Sequence, residues 1–220
     1  DLHMLKKPGM WSGRADIGGD DAFALSHIID LAVQNKADIC FLGDVLNEAT
    51  TLPRPLVLLS QAIHRYRAEL PEGRVTFIQG QHEISVMSYH ENEPWLRLIP
   101  GTEHIAGKTF EFHNKKAFAV DYFPPGFAAS ALQDMPNDVD VLFLHGSIDV
   151  CMPFNAHFSA DDIPGHITHV YAGDYHVPLE RVVKRSDGSE FVIHYCGSTW
   201  MTDASELGRK QVTLVSEVDG

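Results

Sequence analysis

Four short apolar runs constrain the fold of this 220-residue chain more than any other feature, because each is followed within two residues by glycine or histidine and then by polar side chains. The runs lie at 39–42, 75–78, 141–144 and 170–172. Runs of this length, rich in Val, Ile and Phe, are typical of buried strands that end in tight loops. Strand ends converge on one edge of a layered α/β protein, so the polar side chains behind them are expected to meet around one point.

Two amphipathic segments between these runs predict α-helices. The first begins at Asp20 and Asp21 and ends near Asn35, and the second begins near Pro53 or Pro55. This alternation of strands and helices favours a layered α/β fold. Beyond it, we predict a short helix at 124–135 and further strands at 109–113, 116–122, 178–184, 190–195 and 210–217.

The composition is that of one globular domain spanning residues 1–220. No apolar stretch approaches the ~20 residues that cross a bilayer, so no membrane partner is expected. The three cysteines, Cys40, Cys151 and Cys196, lack metal-type spacing and predict reduced core thiols in a cytoplasmic protein. The net charge of −13 argues against a generic nucleic-acid binder, although bound divalent cations would offset that charge locally.

The polar fragments contain the residue types of a divalent-metal centre. Asp44 follows a glycine at a predicted strand end, which makes it the natural carboxylate to bridge two ions ~3.5–4 Å apart. Asp1 and His3 are separated by one residue, so both lie on one side of an extended segment. His145 and His176 add nitrogen donors. Aspartate and histidine without cysteine suit manganese, iron or zinc.

Several of these residues also have ordinary structural interpretations. His145 can be a hydrogen-bonded histidine of the core, and Asp174 can orient a neighbouring ligand without touching a metal. His82 directly follows the predicted ligand Gln81, so it can instead donate a proton to a leaving alkoxide. Long loops near the predicted site carry side chains that either stack on a base or pack the loop, namely Trp11, Arg14, Tyr89, His90 and Trp95.

The order of the fragments resembles the pattern of the calcineurin-like metallophosphoesterase superfamily. That pattern is Asp-x-His, Gly-Asp, Gly-Asn-His with Asp or Glu next, a lone His, and Gly-His-x-His, each at a strand end. The corresponding fragments here begin at Asp1, Gly43, Gly80, His145 and Gly173. The resemblance implies a four-layer α-β-β-α sandwich that binds two divalent metal ions.

The resemblance also implies a role for each matching residue. One ion would be bound by Asp1, His3, Asp44 and His176, and the other by Asp44, Gln81, His145 and Asp174. His82 would be the catalytic histidine, with Glu83 beside it. In such a centre a hydroxide that bridges the ions attacks phosphorus in line, and the histidine protonates the departing oxygen.

Three departures from the family pattern carry their own expectations. Gln81 replaces asparagine and Asp174 replaces the first histidine of the last fragment, both on the same ion. The extra carboxylate favours manganese or magnesium over zinc, so manganese is the predicted metal, with magnesium, iron and zinc as alternatives. The family's first strand precedes the position of Asp1, which predicts that the natural chain extends upstream of residue 1.

Within the superfamily the chain is most similar to the SbcD-like nuclease subunits, including phage-type ones, of DNA repair complexes. The added match is a turn at 195–199, followed by Glu206 and a strand that begins with Lys210. The resemblance implies a phosphodiesterase that cleaves DNA as an exonuclease or endonuclease, with an SMC-like ATPase as partner, and it leaves a homodimer open. The alternatives are a small-molecule phosphodiesterase or phosphatase of the same fold, and a weakly active metal-binding subunit of a repair complex.

Overall fold

The computed structural model describes residues 1–4, 20–47, 53–84, 95–152, 156–199 and 210–216. Five residues for which the sequence suggested a role lie outside the described residues: Trp11, Arg14, Tyr89, His90 and Glu206. The side chain of Trp95 also lies outside them. In the described ranges, no helix has the length and apolar character needed to cross a membrane. None of the three cysteines forms a disulfide.

A first, three-stranded sheet carries the two α-helices on one face. Its strands are parallel and run in the order β1 (Ile39–Leu42), β2 (Val75–Ile78) and β3 (Thr102–His104). The helices are α1 (Asp20–Asn35) and α2 (Pro53–Glu69), as the sequence predicted. Their apolar faces pack together with this sheet into one core, in which Ile29, Leu59 and Phe77 are fully buried.

A second, six-stranded sheet contains the remaining strands that the structure describes. They are β4 (Thr109–Phe112), β5 (Lys115–Val120), β6 (Val141–His145), β7 (His169–Gly173), β8 (Leu179–Lys184) and β9 (Glu190–Tyr195). The order across the sheet is β4-β5-β6-β7-β9-β8. Strands β5, β6, β7 and β9 form a parallel block, and β4 and β8 pair antiparallel at its two edges.

The two sheets pack face to face, which confirms the α/β class. Leu42 and Ile78 from the first sheet meet Phe143 and Tyr171 from the second in a shared core. The predicted fourth layer of α-helix is not confirmed. In the described part of the chain, the outer face of the second sheet is instead covered by loops and short 3₁₀ helices, one of them at Ala128–Leu132.

The short helix predicted at 124–135 is therefore a single 3₁₀ segment. Pro124 and Pro125 precede it and Pro136 follows it. Proline removes backbone donors and restricts the residue before it, so little room remains for an α-helix.

Two local predictions about strands were wrong. The described residues 210–216 of the strand predicted at 210–217 form no strand, and Val212 and Leu214 in this segment are exposed. Conversely, β3 was not predicted, because its three residues, Thr-Glu-His, carry no apolar signal. Parallel pairing with β2 is what makes this segment a strand.

The carboxyl ends of four parallel strands meet where the two sheets approach each other. Asp44 follows β1, Gly80 follows β2, and His145 and Asp174 mark the ends of β6 and β7. Strand β1 lies against both β6 and β7, so residues of the first sheet face residues of the second across this point. The convergence of polar side chains predicted from the sequence therefore occurs at this edge.

Candidate metal centre

Asp44 is the centre of the cluster. This residue is fully buried, and its Oδ2 lies 3.4 Å from His145 Nε2, 3.7 Å from His3 Nε2 and 3.9 Å from His82 Nε2. Its other oxygen, Oδ1, accepts a hydrogen bond from the His82 backbone N–H at 2.9 Å. Three imidazoles from three separate chain segments thus converge on one carboxylate oxygen.

Two glycines make this close approach possible. A Cβ atom at Gly80 would overlap the Asp44 carboxylate, and a Cβ at Gly43 would overlap the His145 ring and the Gly80 backbone. Gly43 also has a φ of +87°, which side-chain-bearing residues rarely adopt. The absence of a side chain at Gly43 and Gly80 therefore allows Asp44 and His145 to approach each other closely.

His145 presents an unprotonated nitrogen to Asp44 when its ring is neutral. Its Nδ1–H donates to the Leu42 carbonyl at 2.6 Å, which leaves a lone pair on Nε2. Both Nε2 and the facing Asp44 Oδ2 are buried without a hydrogen-bond partner among the described residues. Two lone pairs 3.4 Å apart do not stabilise each other, so the contact fits a cation that accepts from both.

A proton, in place of a metal ion, can also lie between Asp44 Oδ2 and His145 Nε2. Burial lowers the pKa of His145, but the negative charge of Asp44 outweighs burial and raises the pKa to about 9. Burial likewise opposes ionisation of Asp44, yet the facing histidines, His145 foremost, hold its pKa below the usual range. The pair therefore requires positive charge between its atoms.

The first four residues are held against the Asp44 loop by their backbone. The N–H groups of Leu2 and His3 both donate to the Asp44 carbonyl at 2.8 Å. This places His3 Nε2 3.1 Å from His176 Nε2, while the carboxylate of Asp1 accepts from the Asp174 N–H at 3.2 Å. Burial lowers the pKa of His3, so its imidazole is neutral and able to bind a metal.

Six of the predicted site residues are close enough to share metal ions. They form three overlapping groups, in each of which the ligand atoms lie within 4.8 Å of one another. The groups are Asp1, His3 and His176; His3, Asp44 and His82; and Asp1, Asp44 and His145. The donor set of carboxylate oxygens and imidazole nitrogens is one that binds divalent transition metals.

The other two predicted ligands are placed differently. Asp174 has a φ of +80°, and its side chain is 9% exposed with a buried Oδ2 that lacks a hydrogen-bond partner in the described residues. Gln81 lies in the turn after β2 and is exposed. Metal binding by Gln81 and by Asp174 stays a prediction.

His82 is oriented by a backbone carbonyl. Its Nδ1–H donates to Asn47 O at 2.9 Å, so Nε2 points toward Asp44, and the ring meets His3 edge-on with centroids 4.7 Å apart. The side chain of His82 is 33% exposed, whereas the side chains of His3 and His145 are buried. This geometry is compatible with proton donation to a substrate and also with metal binding.

Glu83 joins two of the fragments into one unit. Its buried carboxylate accepts from the backbone N–H groups of Asp44 at 2.8 Å, Leu46 at 2.7 Å and Gly80 at 2.7 Å. Burial and the nearby charge of Asp44 raise the pKa of Glu83 to about 7, against the effect of these donors. The acidic residue after His82 thus holds the loops that follow β1 and β2.

Sequence reasoning missed two aromatic residues at the centre. The ring of Tyr122, after β5, lies 6.1 Å from the His145 ring and 5.1 Å from the His157 ring. His157 Nδ1 is 3.7 Å from Asp174 Oδ2. His157 stands in a loop without a recognisable motif. The bridge between Ile148 and Phe158 and the hydrogen bonds between Ser147 and His157 bring this loop to the site.

Comparisons with known proteins concern the fold alone. No protein-family model matches this chain, and no curated protein sequence matches it. Among solved structures, TT1561 of Thermus thermophilus is similar, with a TM-score of 0.50 and 12% sequence identity over 81% of this chain and 84% of that chain. The chain therefore shares its overall fold with a protein of quite different sequence.

Proposed function

We propose that this chain is a metal-dependent phosphoesterase of the calcineurin-like type and that it hydrolyses phosphodiester bonds in DNA. The observation that carries the proposal is the buried contact between Asp44 Oδ2 and His145 Nε2, which requires positive charge between the two atoms. A metal ion shared with the neighbouring ligand atoms can supply that charge. The order of the fragments along the chain and their convergence at one sheet edge support the same assignment.

The proposed centre holds two divalent ions, with manganese as the metal. Asp1, His3, Asp44 and His176 would hold one ion, and Asp44, Gln81, His145 and Asp174 the other. Bound ions of this kind supply a nucleophile from water and stabilise negative charge on the phosphoryl oxygens. The ligands proposed for the two ions include three carboxylates and no thiolate, a combination that binds manganese in preference to zinc.

The side chains around the centre have distinct tasks in this proposal. Glu83 and the paired N–H groups of Leu2 and His3 hold Asp44 in place before substrate arrives. His82, with Nδ1 fixed by the Asn47 carbonyl and with access to solvent, donates the proton that the leaving oxygen takes up.

One contact supports the choice of DNA over other phosphodiesters. Lys210 Nζ donates to Ser198 Oγ at 2.6 Å, and the Ser198 N–H donates to the His176 carbonyl at 3.1 Å. The turn and the lysine that resemble nuclease subunits therefore lie directly behind a predicted ligand. An SMC-like ATPase partner belongs to the same proposal.

The net charge of −13 favours a second candidate, a phosphoesterase for small metabolites. Nucleic-acid binding rests on Lys and Arg contacts to phosphates, and this chain has few of these residues. If DNA is the substrate, binding by the isolated chain should be weak and sensitive to salt.

The test compares substrates at equal manganese concentration. Turnover is measured on labelled single-stranded and duplex oligonucleotides, a chromogenic phosphodiester, a phosphomonoester and a cyclic nucleotide, with Asp44→Asn as the inactive control. The proposal expects cleavage of DNA, fastest at single-stranded or frayed ends, ahead of the small substrates. Good turnover of small substrates with intact DNA would assign the second function, and no turnover on any substrate would leave a metal-binding subunit.

A further inference from the structure

Tyr195 is the last residue of β9, and both neighbouring strands fix its position. It stands opposite Ala172 of β7 and opposite Leu179 of β8. The residue is buried and belongs to the core on the outer face of the second sheet, together with Ile148 and Phe158. Because β9 runs parallel to β7, the register of the sheet brings the Tyr195 ring to the edge at which β6 and β7 end.

The hydroxyl group of Tyr195 holds the loop that follows His145. It accepts a hydrogen bond from the Ile148 backbone N–H at 2.8 Å and donates one to the Gly146 carbonyl at 3.3 Å, and both contacts are buried. The loop begins directly after His145, so these two bonds fix the backbone at the end of β6. The direction of the His145 imidazole depends on that backbone.

The ring of Tyr195 contacts the segment that follows β7. It meets the ring of Tyr175 edge-on, with the centroids 5.4 Å apart and an angle of 73° between the planes. Tyr175 stands between Asp174 and His176, two further predicted ligands. One buried side chain therefore contacts both segments that carry ligands on the second sheet.

We infer that Tyr195 is a positioning residue for the metal ion that His145 and Asp174 would share. This rests on the proposed function, which assigns these two residues to the same ion. Tyr195 does not bind the ion, because two backbone groups of the 146–148 loop occupy its hydroxyl. Changes to residues that orient metal ligands from behind typically weaken metal binding by about 10- to 100-fold.

The ligands of the other proposed ion are held mainly by different contacts. The backbone N–H groups of Leu2 and His3 donate to the Asp44 carbonyl, and the His176 carbonyl accepts from the Ser198 N–H at 3.1 Å. These bonds do not involve Tyr195. A change at Tyr195 should therefore affect one ion more than the other.

The test uses Tyr195→Phe, which removes the hydroxyl and keeps the ring. Calorimetric titration with manganese should show one of two sites weakened by about 10- to 100-fold and the other little changed. The absorption spectrum of the cobalt-loaded variant should also differ from that of the unchanged protein, because this spectrum reports the arrangement of ligands around the ion.

Tyr66→Phe is the matched control. Tyr66 is also buried, and its hydroxyl donates to the Ala37 carbonyl at 2.7 Å, in the segment between α1 and β1. Both substitutions remove a hydroxyl that bonds to the backbone, so both should lower the unfolding temperature. Only Tyr195→Phe should change the manganese affinity and the cobalt spectrum.

A measurement on the unchanged protein covers the case in which Tyr195→Phe does not fold. Exchange of the Ile148 amide proton should slow when manganese is added, and by a larger factor than exchange at Leu70, whose N–H donates to the Tyr66 carbonyl. Equal slowing at the two amides would overturn the inference, since the 146–148 loop would gain no more than the fold in general.

The outcomes separate this inference from the proposed function. Unchanged manganese affinity and an unchanged cobalt spectrum in Tyr195→Phe would overturn the inference and leave Tyr195 a structural residue. Equal weakening of both ions, or the same weakening in Tyr66→Phe, would overturn it as well. These results leave the proposed function intact. Failure of the unchanged protein to bind two manganese ions would overturn the proposed function and the inference together.

Discussion

Three residues at the centre adopt a backbone conformation that side-chain-bearing residues usually avoid: φ is +43° at His3, +50° at Asp44 and +80° at Asp174. Such positions cost on the order of 1–3 kcal/mol each and persist only where surrounding contacts over-determine them. For Asp44 those contacts are the Glu83 carboxylate on its N–H and two N–H donors on its carbonyl. This backbone strain lies at residues predicted to bind metal, as expected for a site whose ligands are held in position before the metal or substrate binds.

We expect Asp44→Asn to lower metal content and abolish turnover. The amide keeps the shape of the side chain but removes the negative charge that holds the cation against His145. Metal analysis of the purified variant, together with its rate on the best substrate, checks both effects. Full occupancy of two ions per chain in this variant would rule out a bridging role for Asp44.

We expect His82→Ala to keep its metal and to lose about 10²- to 10⁴-fold in turnover, the usual contribution of a general acid. The Nε2 of His82 is 3.9 Å from Asp44 Oδ2, and the side chain reaches solvent. Its removal should therefore leave the buried ligands around Asp44 in place. Metal content and rate are measured on the same preparation. A fall in metal content instead of rate would show that His82 is a ligand.

At the scale of elements, Arg185 fastens the β8–β9 hairpin to the loop that precedes β7. Its buried guanidinium donates to the carbonyls of Ile163 at 2.7 Å, Pro164 at 2.9 Å and Ile167 at 2.9 Å. It also lies over the Phe191 ring, 4.6 Å from the centroid. The Arg185 side chain thus links this loop to the β8–β9 hairpin.

We expect Arg185→Met to lower the free energy of unfolding by about 2–4 kcal/mol, because three carbonyls lose their donor in a buried place. Urea unfolding followed by circular dichroism measures the change. The control is Arg74→Met, which removes an exposed ion pair with Glu103 and should cost at most about 1 kcal/mol. Equal effects of the two substitutions would mean that the buried contacts do not hold the hairpin.

At the scale of the whole molecule, the centre joins the two sheets. His145 of the second sheet donates to Leu42 of the first, and its Nε2 faces Asp44 at the end of β1. A second link lies nearby, where the Gln79 N–H donates to Asp121 Oδ1 at 2.6 Å and the Tyr122 N–H donates to the Gln79 carbonyl at 2.9 Å. An ion bound between Asp44 and His145 would therefore stabilise the packing of one sheet on the other.

We expect manganese to raise the unfolding temperature and a chelator to reverse the rise. An ion that binds only the folded state at 100 times its dissociation constant adds about 2.7 kcal/mol of stability. Differential scanning calorimetry with manganese, with chelator and with neither measures the shift. Asp44→Asn should show little shift, and an equal shift in that variant would place the stabilising ion elsewhere.

The sequence by itself determined the elements whose signal is local. Both helices, the strands β1 and β2, and the strands β4 to β9 lie within two residues of where apolar periodicity and capping residues predicted them. The clustering of Asp1, His3, Asp44, His82, His145 and His176 was also predictable. The reason is that parallel strands in one layered fold end at a common edge. The residues that directly follow these strands must therefore lie near that edge.

Only the tertiary structure decided the features that depend on partners distant in the chain. Strand β3 forms because it pairs in parallel with β2. The segment 210–216 pairs with no strand among the described residues. The position of Glu83 between two loops and the orientation of the His157 ring follow from backbone donors at Leu46 and Ser147. No local pattern specifies such donors, because their geometry arises only when separate segments pack together.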